Sequence, residues 1–464
     1  MIDLAISAQV LVWLAVIGAF HISGQASLFH PVTWYLAFHT VVFVLRPLLV
    51  HYFGFDFIWN YMRFTPTNEV FVQTLEVSSV GLVLFVAACL AVSRRNPSFS
   101  EDHDREFSPT QKRGLLVVTL LLAPIIGYSI YTAAKGTSVG ELVGGVFINV
   151  NSVGYLNDAQ FLLMPLLCIW LMVTRFHWAN ALPVILYMGY RSWGGWARFT
   201  IVLFVAMVVA TYCWQHRLRW MPLGALAAAL PVFMLFNLIG HNRDVFKELL
   251  TGQQVRTVEY DPGMTTDQKI KKQYDNPDAA NFDSLAYIIA VVPERTGTYT
   301  YGSQYLQIFT EPIPRMLWKG KPAGAPVALF DLNAYGNFIG LTPSLAGDGW
   351  MSGGWIGVII TMTIVGGFLG WAHRWFWNHA QNNMASLFYL TGLPMLAQWY
   401  RDGGISVTKF LLWSWLPLLM WIGINWMMGQ RLVRSYTILM PAKARLQLAT
   451  AHTEGGTTAP VSPP

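Results

Sequence analysis

Stretches of about twenty consecutive apolar residues recur along the whole chain, and no other feature constrains its fold as much. Each is long enough to cross a hydrocarbon core of roughly 30 Å. A water-soluble core cannot bury so many of them. Composition agrees: 54% of the 464 residues are hydrophobic and 12% are charged, where a soluble domain carries roughly 25% charge. The sequence therefore predicts an all-α polytopic membrane protein. Spans are expected near 4–22, 31–52, 72–93, 114–133, 157–174, 180–191, 197–214, 222–240, 352–373, 384–400 and 407–428, eleven in all. The 20 Trp and 19 Tyr suit two membrane–water interfaces. The first apolar run begins at Leu4 without a basic leader or a small-residue cleavage site, so it reads as a retained span.

Lys and Arg in the short loops set the expected orientation. Thirteen lie on one side, from Arg94 and Arg95 to Arg445, and six on the other: Arg63, Lys135, Arg191, Arg198, Arg401 and Lys409. The richer side is expected to be cytoplasmic, with the N-terminus outside and the C-terminus inside. The chain then divides into residues 1–240 with eight spans, a large outer loop at 241–351, spans nine to eleven at 352–430, and a cytoplasmic tail at 431–464. Within the loop, Phe282 to Val292 is apolar enough for a short helix, expected at the membrane interface. The net charge of +6 follows largely from this topology and does not indicate nucleic-acid binding. Cys89, Cys168 and Cys213 all fall in apolar segments and imply no disulfide framework. Walker A, dinucleotide-binding and HExxH patterns are absent, and the 11 His residues are scattered, so neither a cofactor nor a metal is expected.

Charge at or within the membrane is expensive, and each instance is a functional candidate. Six arginines are expected on the outer face: Arg191, Arg198, Arg243, Arg295, Arg315 and Arg401. The planar guanidinium suits phosphate, to which it makes paired charge-assisted hydrogen bonds. Arginines also snorkel to headgroups, so the set carries the inference and no single one does. Arg191 and Arg198 flank Gly194-Gly195 where the sixth span is short, which could turn both toward one pocket or simply cap a hairpin. A second stretch runs from Tyr301-Gly-Ser-Gln-Tyr305 to Lys321-Pro322 and contains Glu311-Pro-Ile-Pro-Arg315-Met-Leu-Trp318-Lys-Gly-Lys321-Pro322, where cations bracket an aromatic ring. It suits a sugar phosphate or an interface anchor. A third, Gly347-Asp348-Gly-Trp350-Met-Ser-Gly353, sets a carboxylate in a glycine-rich turn at the expected mouth of the ninth span. Asp348 could serve there as a general base or as an N-cap of the following helix. Asp283 is a further candidate for the base. Arg46 is the main basic residue inside a span, and the sequence shows no acidic partner beside it.

These patterns resemble the O-antigen polymerase family, the repeat-unit polymerases of bacterial envelopes, over most of the chain. The Arg191 turn between two late-middle spans is similar to one in the family. The Ile313-Pro-Arg315…Trp318…Lys321-Pro322 stretch is similar to the family's Pro-Arg…Trp…Lys-Pro pattern. The Gly347-Asp348…Trp350…Gly353 stretch is similar to its Gly-Glu…Tyr…Gly pattern, with Asp in place of Glu and Trp in place of Tyr. The resemblance implies a multispan glycosyltransferase that joins undecaprenyl-diphosphate-linked oligosaccharides on the periplasmic face of the inner membrane. It also implies a flippase and a chain-length regulator as partners. On this reading Arg191, Arg198 and Arg315 hold the diphosphate, with Arg401, Arg295, Lys321 and Trp318 in support, and Asp348 or Asp283 acts on the acceptor. Two alternatives stand beside it. A ligase of the same superfamily would carry a His-rich motif in the large loop, where only His241 occurs, at its edge. A transporter of the same lipid-linked sugars would line a path across the membrane with charge.

Overall fold

The computed structural model describes residues 1–94, 107–134, 140–143, 146–149, 158–193, 199–224, 279–310 and 329–428, with the single residues 156, 265, 266, 268, 269, 271, 313, 317 and 318. Among them the chain is a helical bundle with one short β-hairpin. In chain order the elements are α1 (Ile2–Ile22), α2 (Pro31–His39), α3 (Arg46–Phe53), α4 (Phe57–Met62), α5 (Asn68–Val92) and α6 (Pro109–Ala134). The strands β1 (Gly140–Val143) and β2 (Val146–Asn149) pair antiparallel. Then come α7 (Leu163–Val173), α8 (Ala181–Trp193), α9 (Phe199–Gln215), α10 (Asn281–Val291), α11 (Ser344–Asn378), α12 (Asn383–Gly392), α13 (Met395–Asp402) and α14 (Gly404–Met427).

Among the described residues six helices are long and apolar enough to cross a membrane: Ile2–Ile22, Pro31–Phe53, Asn68–Val92, Pro109–Thr132, Ser344–Asn378 and Phe410–Met427. The protein is membrane-embedded. Ala159–Val173 and Thr200–Gln215 are shorter apolar helices where the fifth and seventh spans are expected. The sixth is α8, of 13 residues. The tenth is broken at Leu393–Pro394 into α12 and α13, since Pro394 supplies no amide to a continuing helix. The eighth, near 222–240, lies almost wholly outside the described residues. Between α2 and α3 the second span passes through a π-helical stretch, Thr40–Leu45.

The bundle is organised around α5 and α11. Apolar burial gives helices little reason to associate in lipid, so close backbone approach through small residues takes over. A Cβ on Gly81 would stand 3.2 Å from Met362, and Cβ atoms on Gly366 and Gly370 would collide with the carbonyl oxygens of Phe85 and Cys89. The pairs 81/362, 85/366 and 89/370 keep one offset, so the two helices run parallel in fixed register.

Helix α11 is not one rod. Its backbone leaves helical geometry at Gly353 and Gly354, where Gly354 has φ 59° and ψ −136°. That left-handed conformation suits glycine, and the Tyr299 hydroxyl lies 2.9 Å from where a Cβ would stand. Residues 344–352 fold back along the rest of the helix: a Cβ on Gly349 would lie 3.0 Å from Val358 Cα and 3.3 Å from Thr361 Cβ, and one on Gly357 would strike the Gly349 carbonyl. Residues 344–351, the end of the expected loop at 241–351, thus belong to a helical arm, 344–352, packed within the bundle.

Helix α10 forms where the short helix is expected, and all of its residues but Ala290 are buried within the protein. Phe282 meets Phe71 of α5 edge-on at 5.0 Å between ring centroids. At its other end Trp350 donates its indole N–H to the Val292 carbonyl at 2.9 Å. A polar pairing, described next, also ties it to α3.

Candidate functional site

Arg46, at the start of α3, is buried and has an acidic partner after all. It grips Asp283 of α10 through Nε to Oδ2 at 2.8 Å and Nη2 to Oδ1 at 3.1 Å. Both side chains are almost wholly shielded, at 2% and 0% exposure. The two-point fork fits the guanidinium plane to the carboxylate. The partners are 237 residues apart, so no local pattern could reveal the pair. Nη2 also donates to the Phe55 carbonyl at 3.3 Å.

Asp348 lies in the folded-back arm of α11 and is also buried. It does not N-cap its own helix. Its Oδ2 accepts the backbone N–H of Gly404 at 3.0 Å, so it caps the first turn of α14 from across the bundle. Its Oδ1 accepts from Gln304 Nε2 at 3.3 Å, and the same amide donates to Ser352 Oγ at 2.6 Å. Tyr305 closes the corner. Its ring lies against Gly404, where a Cβ would stand 2.8 Å from Cε1, and its hydroxyl is 3.3 Å from Thr361 Oγ1.

The depth of this corner follows from the register of α5 and α11. Thr361 is level with Val80, the thirteenth of the 25 residues of α5. That is about 18 Å from either end of the helix at 1.5 Å per residue. The Asp348 corner is thus level with the middle of α5.

A second polar group adjoins it. Asn281, at the start of α10, donates to the Arg401 carbonyl at 2.8 Å and to the Thr342 carbonyl and hydroxyl at 3.1 and 3.0 Å. Gln398 hydrogen-bonds Asp402 one turn on. Arg401 Nη1 lies 3.9 Å from Asp402 Oδ1. Gly403 carries the chain from α13 into α14 at φ 88°, and a Cβ on it would meet Asp348 Oδ2 at 3.2 Å. The Asp348 carboxylate thus packs directly against this glycine. The corner joins four pieces of chain: the start of α10, the 303–306 turn, the arm of α11 and the junction of α13 with α14.

Arg191 is buried in a different pocket. Its Nε and Nη2 donate to Thr200 Oγ1 at 3.2 and 2.7 Å, its Nη1 donates to Gln160 Oε1 at 2.8 Å, and its cation sits 5.4 Å over the Phe161 ring. Tyr190 donates to the same Gln160 oxygen at 2.9 Å. Phe161 in turn meets Phe410 of α14 at 6.0 Å. The Arg191 pocket and the Asp348 corner thus lie against the opening turns of the same helix. Arg295 is on the exposed turn after α10, and Trp318 is partly exposed. Arg198, Arg315 and Lys321 lie outside the described residues.

Sequence reading missed Arg46 as a paired residue, and Asn281, Asp402 and the Gly403-Gly404 junction altogether; Gln304 and Tyr305 fell within the second stretch but were given no role. Only the run Asp402-Gly403-Gly404, an acidic residue ahead of two glycines, carries a local hint of a turn. Among the described residues no group of three or more His, Cys, Asp or Glu could hold a metal ion. Comparison of the chain with family models, with curated proteins and with solved structures returns no match.

Proposed function

We propose that the chain is a glycosyltransferase of the O-antigen polymerase type. It joins undecaprenyl-diphosphate-linked oligosaccharide repeat units on the periplasmic face of the bacterial inner membrane, in the synthesis of a surface polysaccharide such as O-antigen, capsule or exopolysaccharide. The growing chain is the donor. A hydroxyl of the incoming lipid-linked unit attacks the anomeric carbon, a carboxylate takes its proton, and undecaprenyl diphosphate leaves. Guanidinium groups stabilise the charge that develops on the diphosphate. A flippase supplies the units and a chain-length regulator acts with the polymerase.

One observation carries the reading. Two separate stretches singled out by their resemblance to this family, around Arg191 and around Asp348, flank the first turns of α14. A cation for the leaving group and a carboxylate for the acceptor are both needed, within reach of one substrate. Asp348 suits the acceptor better than Asp283, whose two oxygens are held by Arg46. In this mechanism the acceptor hydroxyl replaces the Gln304 amide at Asp348 Oδ1. Arg198, Arg315, Lys321 and Arg401 complete the diphosphate site.

The test is the length of the polysaccharide. In a strain lacking the gene, complementation by Arg191→Ala or Asp348→Ala is expected to leave single repeat units only, while membrane fractions still contain the protein. Normal chain length in both variants would reject the assignment. Loss of all transfer, with full-length polymer accumulating on the lipid carrier, would point to a ligase instead.

One feature favours transport as a second reading. The Arg46–Asp283 pair and the breaks in α11 and between α12 and α13 lie within the bundle, where transporters hold substrates on discontinuous helices. Purified protein that elongates lipid-linked units in detergent would exclude transport as the main activity.

A further inference from the structure

We infer, on the polymerase reading of the site, that the Ser303–Leu306 turn is a strap over Asp348, which swings out before an acceptor hydroxyl reaches the carboxylate. Asp348 is buried. Among the described residues two other pieces of chain close on its carboxylate: Gly404, through its backbone N–H, and the turn, through the Gln304 amide. Gly404 opens a helix of 24 residues. The arm that carries Asp348 is fastened by the Trp350 indole to the Val292 carbonyl and by the close approach of Gly349 to Val358. Neither can give way without moving the bundle. The turn has four residues, and only the short helix Gln307–Thr310 follows it. It is the piece that can move alone.

Its local geometry supplies an anchor, a hinge and a latch in that order. Thr300 is the anchor: its N–H and its hydroxyl both donate to the Met351 carbonyl, at 2.9 and 3.1 Å. Tyr301 and Gly302 follow at once, with φ 51° and 77°. A bulky residue such as Tyr301 is strained in that left-handed region, and such strain marks switch segments. Its return to an ordinary φ redirects everything after it. The latch is made of side chains. Gln304 Nε2 donates to Ser352 Oγ at 2.6 Å and to Asp348 Oδ1 at 3.3 Å, and the Tyr305 hydroxyl lies 3.3 Å from Thr361 Oγ1. The closed position is incompletely satisfied, because Gln304 Oε1 and Gln307 Oε1 are shielded and accept no hydrogen bond. Opening hydrates both. On the outer side Tyr301, Leu306 and Phe309 are exposed, so an outward swing breaks into no packed core there. Closed, the Gln304 amide holds the oxygen that the acceptor needs. The acceptor then binds only the open fraction, and its apparent affinity falls by that fraction.

Thr361→Cys sets a thiol beneath the Tyr305 hydroxyl. In purified full-length protein in detergent, N-ethylmaleimide is expected to label it faster than the native Cys89, which is buried against Gly370 away from the turn. Adding Ser352→Ala, which removes the main latch acceptor, is expected to raise that rate about fivefold, the worth of one hydrogen bond, and to leave Cys89 unchanged. Labelling no faster than that of Cys89, or a rate that Ser352→Ala does not alter, would overturn the strap. Should Thr361→Cys fail to fold, Gln304→Cys with Tyr305→Phe as the loosening change reads the same movement. In elongation of lipid-linked units, Ser352→Ala is expected to lower the acceptor KM about fivefold without raising kcat. An unchanged KM would overturn control of acceptor entry. A wild-type protein that transfers nothing while the Thr361→Cys thiol opens as expected would reject the polymerase reading and leave the strap in place.

Discussion

At the scale of single residues, the two buried carboxylates behave differently because their partners differ. Asp283 faces a full positive charge in a two-point fork. Removing one member leaves the other charged and shielded, which typically costs about 3–5 kcal/mol. Asp283→Ala is therefore expected to destabilise the protein by that amount, measured by thermal or denaturant unfolding in detergent. The double variant Arg46→Met/Asp283→Leu should recover most of the loss, because two apolar groups leave no charge unpaired. Asp348 instead faces dipoles. Asp348→Asn keeps an acceptor for the Gly404 amide, whereas Asp348→Ala removes the cap. The alanine variant is expected to lose about 1–2 kcal/mol more than the asparagine variant in the same unfolding measurement.

At the scale of elements, glycines determine how closely helices approach. Gly366 and Gly370 admit the backbone of α5, while Gly367, between them, has nothing within 4 Å. Gly366→Leu is expected to force α5 and α11 apart and lower stability by about 1–3 kcal/mol. Gly367→Leu points into open space and should be near neutral. Equal melting temperatures for the two leucine variants would contradict the packing register. This scale also shows what the sequence could carry. Six apolar runs become helices long enough to span because length and hydropathy are properties of a contiguous stretch. The arm at 344–352 was legible only as a glycine-rich turn. Its partners, Gly357 and Thr361, lie within the next span, and a fold-back at Gly354 has no periodicity to read. Helix α10 is tied to Arg46, far away in the chain, and a local reading of Phe282 to Val292 could find its helix but not its partner.

At the scale of the molecule, the three cysteines are all buried, which gives a clean background for mapping topology. Trp178 and Tyr301 are highly exposed, at 81% and 78%. Charge bias puts the first on the cytoplasmic side and the second outside. Tyr301→Cys is expected to react with an impermeant maleimide in intact spheroplasts, and Trp178→Cys only after permeabilisation. The reverse pattern would invert the topology and, with it, the side from which a lipid-linked substrate reaches the bundle. Of the candidate site, Arg191 and Asp348 were legible because charge within an apolar sequence stands out. Their neutral partners Gln160, Thr200 and Gln304 were not, since amides and hydroxyls are common everywhere.

The cap that Asp348 places on Gly404 also bears on how the protein is made. The two residues are 56 positions apart, and the acceptor is synthesised first. Until α14 has left the ribosome, the carboxylate in the folded-back arm lacks the amide it is built to hold. The arm can therefore reach its final seat only once α14 has entered the bilayer. A nascent chain stopped after Asn378 would present that carboxylate to the insertion machinery with its cap missing.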